Sequence, residues 1–542
     1  MTRILGALSG SAIALAVAAA AFTVAVGLPS GDPDMWWHLA SGRWMVEHRD
    51  GLRVDVFSST ATGEPYALGE WLGEVVLYLA YAAGSWLGVA ILRAALVALA
   101  AFAVARLALR AAPARVAIPL AVLALLLSKA TWTDRPQLFT LAFVPLILEL
   151  CLAARSGSRP ALIAAIPLVA VWANLHGGYA LGIAIMWVFA LEALLQRRPA
   201  LPQLAAAAVA TIVVGSEPGA LPFVRAIGHV AGSSIRIVEE SPADPLTPFG
   251  ALFALFVGMT IAVLMLRGGS LLAALLLVPI LWLALSAQRH VPLFGFVAVP
   301  FIAGPLTQVL DEMGTTLRRG VGRVRRSATS PGPGSSSEPF PDLNQFGPRS
   351  HQFGSTSAGP VEEHPEAGTR SLLDMHVDPH QIDRTSHQSS LRGAARPSSK
   401  SSQGGRPALP LAAALWLGAL VSIPSADPRP DLRPYPDGAR AALAATSGVL
   451  FNEYDWGGYL IWTVPGRPVF VDGRLYPFAG NGVMGAYQEA IHVLPSWRSV
   501  IERWNVAQAL IRPEGALTQA LRDEGWTVRV QGEGFVLLER PR

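Results

Sequence analysis

Cysteine is almost absent: a single residue, Cys151, carries a thiol in a chain of 542. An intrachain disulfide and a cysteine-built metal or redox centre are therefore excluded. Charge is scarce as well. Asp, Glu, Lys and Arg make up 15% of the residues, where a soluble domain carries about 25%, so an ordinary soluble enzyme is excluded too. Phosphate-loop, serine-hydrolase and zinc-protease signatures are missing, and no internal repeat is visible. At mid-helix positions of the apolar runs, ionisable side chains are nearly confined to Arg93 and Glu149. Transporters place such groups near the bilayer midplane, so this pattern favours chemistry at the membrane rim over transport. What remains is apolar: 52% hydrophobic residues and a mean hydropathy of +0.41. The net charge of +4 and pI near 9.4 are explained by arginines that hold loops on the cytoplasmic side, with no nucleic-acid partner implied.

Apolar stretches of about 20 residues cross roughly 30 Å of hydrocarbon as helices. Candidates lie at 4–28, 86–109, 116–132, 136–154, 160–175, 178–195, 201–215, 249–266, 271–285, 291–305 and 409–423, which predicts about eleven crossings, the shorter ones less well defined. With the N-terminus cytoplasmic, alternation puts Arg106, Arg110, Arg115, Arg155, Arg159, Arg197, Arg198, Arg267 and the arginines of 318–326 inside, as the positive-inside rule requires. Five other segments fall outside: 29–85, the turn at 133–135, the turn at 176–177, 216–248 and 288–290. The apolar stretch 72–83 is too short to span and reads as interfacial or re-entrant.

The expected organisation is thus a membrane domain, 1–310, with a first outer loop at 29–85; a disordered cytoplasmic insertion, 311–407; a last transmembrane helix, 408–424; and a small extracytoplasmic α/β domain, 425–542. The insertion is rich in Ser, Pro, Gly, Gln and His, without apolar periodicity, and cannot bury enough surface to offset chain entropy. Its histidines, His351, His364, His376, His380 and His387, lack metal-ligand spacing. In the last segment, 449–452, 468–471, 507–511, 526–530 and 534–539 read as strands, with helices at 497–504 and 515–524.

The richest stretch is GDPDMWWHLASGRW, directly after the first span. Asp32 and Asp34 flank a stiffening proline. Such a pair can bind a divalent cation, Mg or Mn, through oxygen ligands, or one member can deprotonate an acceptor hydroxyl. The simpler reading makes Asp34 a helix N-cap. Trp36, Trp37, Trp44 and Trp71 can stack on sugars or anchor at the membrane interface. DRPQLFT supplies Arg135 beside Asp134, with Lys129 deeper in the preceding span; WANLHGG supplies His176 and two glycines; SAQRHVP supplies Arg289 and His290. Cationic and ionisable groups from separate helices on one membrane face can cradle a phosphate, although Arg135 can also simply pair with Asp134, and His176 can simply cap a helix. Further on, Glu453, Asp455, Asp472 and Arg474 lie in FNEYDWGG and VFVDGR, where turn chemistry competes with acceptor binding.

These motifs and the span pattern resemble the GT-C superfamily of integral membrane glycosyltransferases, which includes protein O-mannosyltransferases and lipid A aminoarabinose transferases. DPDMWWHLASGRW, DRPQLFT, WANLHGG and VFVDGR are also similar to a group of bacterial membrane proteins in or near that superfamily. The resemblance covers the chain apart from 311–407. It implies a polytopic helical core with a small outer α/β domain in the bacterial cytoplasmic membrane. It further implies inverting sugar transfer from a polyprenyl-phosphate donor to a lipid, glycan or protein acceptor on the outer face. In that scheme Asp34, or else Asp32, is the general base or metal-linked acid. Arg135, Arg289, His290 and His176, with Arg43 assisting, hold the donor phosphate, and Asp472 and Arg474 meet the acceptor. Residues 216–248 offer only Glu239 and Glu240 as a second acidic motif. A glycan polymerase or ligase, or a non-catalytic transporter or assembly scaffold, are the alternative readings.

Overall fold

In a computed structural model of the chain, the structure describes residues 2–66, 69–218, 220, 240–329, 408–478 and 480–541. Helices α1 (Thr2–Val26), α2 (Met35–His48), α3 (Trp71–Ala111), α4 (Ala114–Ser128), α5 (Gln137–Arg155), α6 (Arg159–Leu175), α7 (Tyr179–Leu195) and α8 (Leu201–Gly215) are followed by α9 (Pro248–Arg267), α10 (Leu271–Ser286), α11 (Val291–Thr329) and α12 (Ala408–Ser422). Each of the eleven apolar runs falls on one of these helices. Among the described residues, five helical segments are long and apolar enough to cross a membrane: Trp71–Ala111, Ala114–Thr131, Gln137–Arg155, Pro248–Arg267 and Gln288–Arg319. Six shorter apolar helical stretches, 10–17 residues, accompany them, Gly10–Val26 within α1 among these.

Small side chains set the packing of the first spans. Ala14, Ala18, Ala21 and Ala25 of α1 share one core with Ala90, Ala94, Ala98 and Ala101 of α3. Close backbone approach supplies the dispersion contacts that hold helices together where lipid offers no hydrophobic drive. Helix starts follow local chemistry: Ser158, Thr247 and Ser270 each accept from the backbone N–H three residues on, satisfying a donor the helix leaves orphaned. Arg93 and Glu149, the mid-helix ionisable residues, serve structure. Arg93 is bidentate to Asp134 at 2.9 Å and also donates to the Ala25 carbonyl, while Glu149 pairs with Arg106 and Arg110.

Helix α3 is two helices in one. Gly84 and Ser85 leave helical geometry, Ser85 with φ 52°, so Trp71–Ala83 departs from the span that follows and forms a separate segment packed on α2. One boundary needs correction: residues 311–329, expected to open the insertion, continue α11 as helix. The remainder of that insertion, with its histidines, lies outside the described residues.

The C-terminal segment adds α13 (Arg440–Ala444), α14 (Gly457–Thr463), α15 (Val483–Ile491), α16 (Trp497–Arg503) and α17 (Ala516–Asp523) around strands β1 (Val449–Asn452), β2 (Val506–Ile511), β3 (Thr527–Gly532) and β4 (Phe535–Glu539). The sheet order is β1-β2-β4-β3, with β1 parallel to β2 and the other pairs antiparallel. Residues 468–471 are not a strand. Val469 makes only an isolated bridge to Ser58, because the Asn452 side chain takes the Phe470 N–H and the Val471 carbonyl that a ladder would use, and Pro468 has no N–H to offer.

Alternation along the strands gives the sheet two apolar faces. Phe451, Ile511, Val536 and Leu538 pack with Trp497 and Leu521 on one side. Leu450, Leu510 and Leu537 meet Met35, Trp36 and Tyr459 on the other. The C-terminal domain is therefore docked on α2 through shared core, which brings its loops to the start of that helix.

Candidate functional site

Asp34 does begin α2, as the capping reading predicts, but its carboxylate makes no cap hydrogen bond. It accepts from Trp37 Nε1 at 3.1 Å and pairs with Arg135 Nη2 at 3.0 Å. Asp32 accepts the Asp34 N–H at 2.9 Å and reaches Arg135 Nη1 at 3.4 Å. One guanidinium thus bridges both aspartates. Asp134, the sequence neighbour of Arg135, pairs with Arg93 at 2.9 Å. A loop of the C-terminal domain closes over the same place: a Cβ on Gly473 would collide with Asp34 Oδ1.

Sequence reasoning missed the next residues. Glu70 and Glu74 open α3 four residues apart, so they share a helix face. Glu70 Oε1 lies 3.3 Å from His176 Nε2, and Glu70 Oε2 4.0 Å from His38 Nδ1. His38 Nδ1 is 3.2 Å from Glu74 Oε1, and the Tyr66 hydroxyl donates to that same oxygen. The available signal was the pair of acids in LGEWLGE, ionisable groups at the head of an apolar run.

His176 ends α6, and its Nδ1 receives the Gly178 N–H at 3.0 Å and lies 2.7 Å from Thr140 Oγ1. An acceptor at Nδ1 puts the ring proton on Nε2, facing Glu70. Gly178 has no Cβ because Thr140 occupies that space; the glycine serves this contact and not a ligand. Burial, with Arg135 and Arg289 adding to it, pushes the His176 imidazole down to about 3. His38 is held well below the usual histidine range by burial and by Arg135. Burial pushes the Glu70 carboxyl up to about 7, against the pull of Arg135 and with help from Asp34. Both imidazoles are neutral near pH 7, and Glu70 is the group poised to gain or lose a proton there.

Arg289 pairs with Glu240 at 3.2 Å and remains 42% exposed at its side chain, while its charge acts on Glu70 and His176. His290 lies 3.2 Å from the Leu283 carbonyl and contacts neither aspartate among the described interactions.

Other expected residues have different surroundings. Arg43 lies over the Trp462 ring at 4.4 Å and donates to the Trp462 carbonyl, so it fastens α2 to the C-terminal domain. Asp472 and Arg474, assigned to the acceptor, are closed to solvent. Arg474 pairs with both Asp472 and Asp55, and all three side chains are 0% exposed. Trp36 is buried among Trp86, Tyr435 and Tyr459, which leaves no face for a sugar.

As a cation site, Asp32 and Asp34 offer two carboxylates that already converge on a guanidinium. No group of three or more His, Cys, Asp or Glu is arranged for a metal among the described residues. The donor set does not fit a divalent ion as it stands.

No protein-family model and no curated sequence matches the chain. Solved structures do. The archaeal oligosaccharyltransferase AglB from Archaeoglobus fulgidus, in complex with an inhibitory peptide and a dolichol-phosphate, aligns with TM-score 0.50 and 12% identity over 92% of this chain and 69% of that one. The oligosaccharyltransferase of the same organism in its apo form aligns with TM-score 0.49 and 11% identity, over 94% and 69%. The likeness is one of fold: a multi-pass helical membrane domain with a C-terminal domain of mixed structure.

Proposed function

We propose that the chain is a membrane glycosyltransferase that moves a sugar from a polyprenyl-phosphate donor to a lipid, glycan or protein acceptor at the outer face of the bacterial cytoplasmic membrane. The observation that carries this reading is the meeting of Asp32, Asp34, Glu70, Arg135 and His176 from four separate stretches of chain, on a fold like that of a glycosyltransferase whose complex holds a dolichol-phosphate and a peptide.

The chemistry follows from the pairing. A donor phosphate competes with Asp32 and Asp34 for Arg135, and its arrival frees the Asp34 carboxylate. Asp34, the more exposed of the two at 26% against 6%, takes the acceptor proton as the acceptor attacks the anomeric carbon. The bond from that carbon to the phosphate oxygen breaks, and the electron pair leaves with polyprenyl phosphate. Arg135 neutralises the charge growing on that oxygen, with Arg289 as a second cation, which lowers the barrier more than it stabilises the ground state. Asp32 holds the Asp34 backbone and is a positioning residue.

The test is a proteoliposome assay with a labelled polyprenyl-phosphate sugar and envelope extract as acceptor source. Donor-dependent transfer with release of polyprenyl phosphate is expected, abolished by Asp34→Asn at unchanged expression. Donor binding without release, or full activity in Asp34→Asn, overturns the reading in favour of a transporter or scaffold.

A further inference from the structure

A buried cation without an acid sits in the outer domain. Arg467 is 9% exposed and lines an open cleft of about 960 Å³ to which no residue of the Asp34 cluster contributes. Its Nη1 donates to the Thr446 carbonyl at 3.0 Å and its Nη2 to Gln508 Oε1 at 2.6 Å, both neutral acceptors. Its Nε is buried with no partner. Arg93 and Arg474, the other arginines as deeply buried, are matched by one aspartate and by two. Arg467 is matched by none among the described residues. A buried charge without a counter-charge is costly, and a fold that pairs its other buried arginines keeps this one unpaired at the wall of a cleft.

The rest of the cleft is suited to hydroxyl groups. Ser59, Ser447 and Thr463 line it, with the Asp437–Arg440 ion pair, so its walls both donate and accept hydrogen bonds. No aromatic ring and no strand edge longer than Val449 is presented, which disfavours a peptide held by apolar pockets or by strand pairing. The volume lies within the range of small-ligand sites, about 300–1,000 Å³.

We propose that this cleft binds an anionic saccharide, a sugar unit bearing a carboxylate or a phosphate ester, with the oxyanion on Arg467 and the ring hydroxyls on the serine and threonine rim. An oxyanion here supplies the missing counter-charge, and a guanidinium gives it directional, charge-assisted hydrogen bonds.

The experiment is direct binding to the full chain in detergent micelles, read by thermal shift and calorimetry with glucuronate, glucose 1-phosphate, glucose and inorganic phosphate as probes. Because no turnover is read, failure here leaves the transferase reading standing, and the reverse also holds. Glucuronate and glucose 1-phosphate are expected to bind and to raise the melting temperature, glucose to do neither, and inorganic phosphate to bind more weakly. Arg467→Gln is expected to lower affinity at least about tenfold. Ser447→Glu changes only an exposed residue at the rim. It places a like charge beside the ligand and is expected to weaken binding several-fold even if Arg467→Gln does not fold. The proposal is overturned if no probe binds below about 10 mM, if glucose binds as tightly as glucuronate, or if inorganic phosphate alone matches the sugars. Wild-type affinity in Ser447→Glu, or in a folded Arg467→Gln, also overturns it.

Discussion

Arg474 and Arg135 each hold two aspartates, Arg474 one from the loop after α1 and Arg135 two, and the surroundings decide what each trio can do. Around Arg474 the three side chains are fully shielded, Asp55 also accepts from the Ser58 N–H, and the guanidinium lies 5.1 Å from the Phe57 ring. Nothing from solvent can compete for those charges. Around Arg135 the side chains are 20%, 6% and 26% exposed, and a polar ligand can reach the pair. The same ion-pair chemistry fastens the C-terminal domain to the loop in one place and stays within reach of solvent in the other. The bridge between them is short: Asp472 and Arg474 flank Gly473, which lies against Asp34.

The widest separation between the two trios should come from breaking each arginine. Arg474→Gln strands two buried carboxylates and is expected to cost about 3–5 kcal/mol of folding stability, read as a large fall in melting temperature or loss of folded protein. If Arg474→Gln melts like the wild type, the clasp is not structural. Asp34→Asn should do the opposite, with melting nearly unchanged and transfer reduced about 10²–10⁴-fold. Arg135→Gln comes next, with a loss of about 10²–10³-fold through the leaving phosphate. An equal loss of melting temperature in Arg135→Gln and Arg474→Gln would erase the distinction.

The comparison also shows how far the sequence could be read. Helices followed from run length, and four of the five expected strands of the C-terminal domain from alternation, since both patterns are local. Asp34 at the head of α2 was legible for the same reason. Partner choice was not. Asp134 turns to Arg93, 41 residues away, and Arg474 to Asp55, 419 residues away, so which acid an arginine meets depends on packing that no spacing rule encodes. Asp472 and Arg474 looked like accessible turn residues because an Asp-Gly-Arg turn carries no local sign of burial. Glu70 escaped notice because its importance lies in where α2 and the His176 turn come to rest.

Glu70 provides the finest test, because it lies beside the Arg135 trio and not in the buried clasp. Its carboxyl, raised to about 7 by burial, keeps its proton in the folded protein across a pH window in which the unfolded chain has lost it. Stability therefore falls as pH rises from about 4.5 to about 7 and levels off above that. The same proton sets the charge met by a phosphate. Below about 7 the two aspartates face Arg135 and Glu70 adds no charge, whereas above it a further negative charge opposes the donor, so the donor KM should climb by up to about tenfold per pH unit while kcat changes little. Glu70→Gln fixes the neutral form at nearly the same shape, and is expected to hold KM flat between about pH 6 and 8.5 and to remove the stability slope. A KM that climbs equally in the variant would place the titration elsewhere. A collapse of kcat in place of a flattened KM would make Glu70 the acceptor of the proton assigned to Asp34.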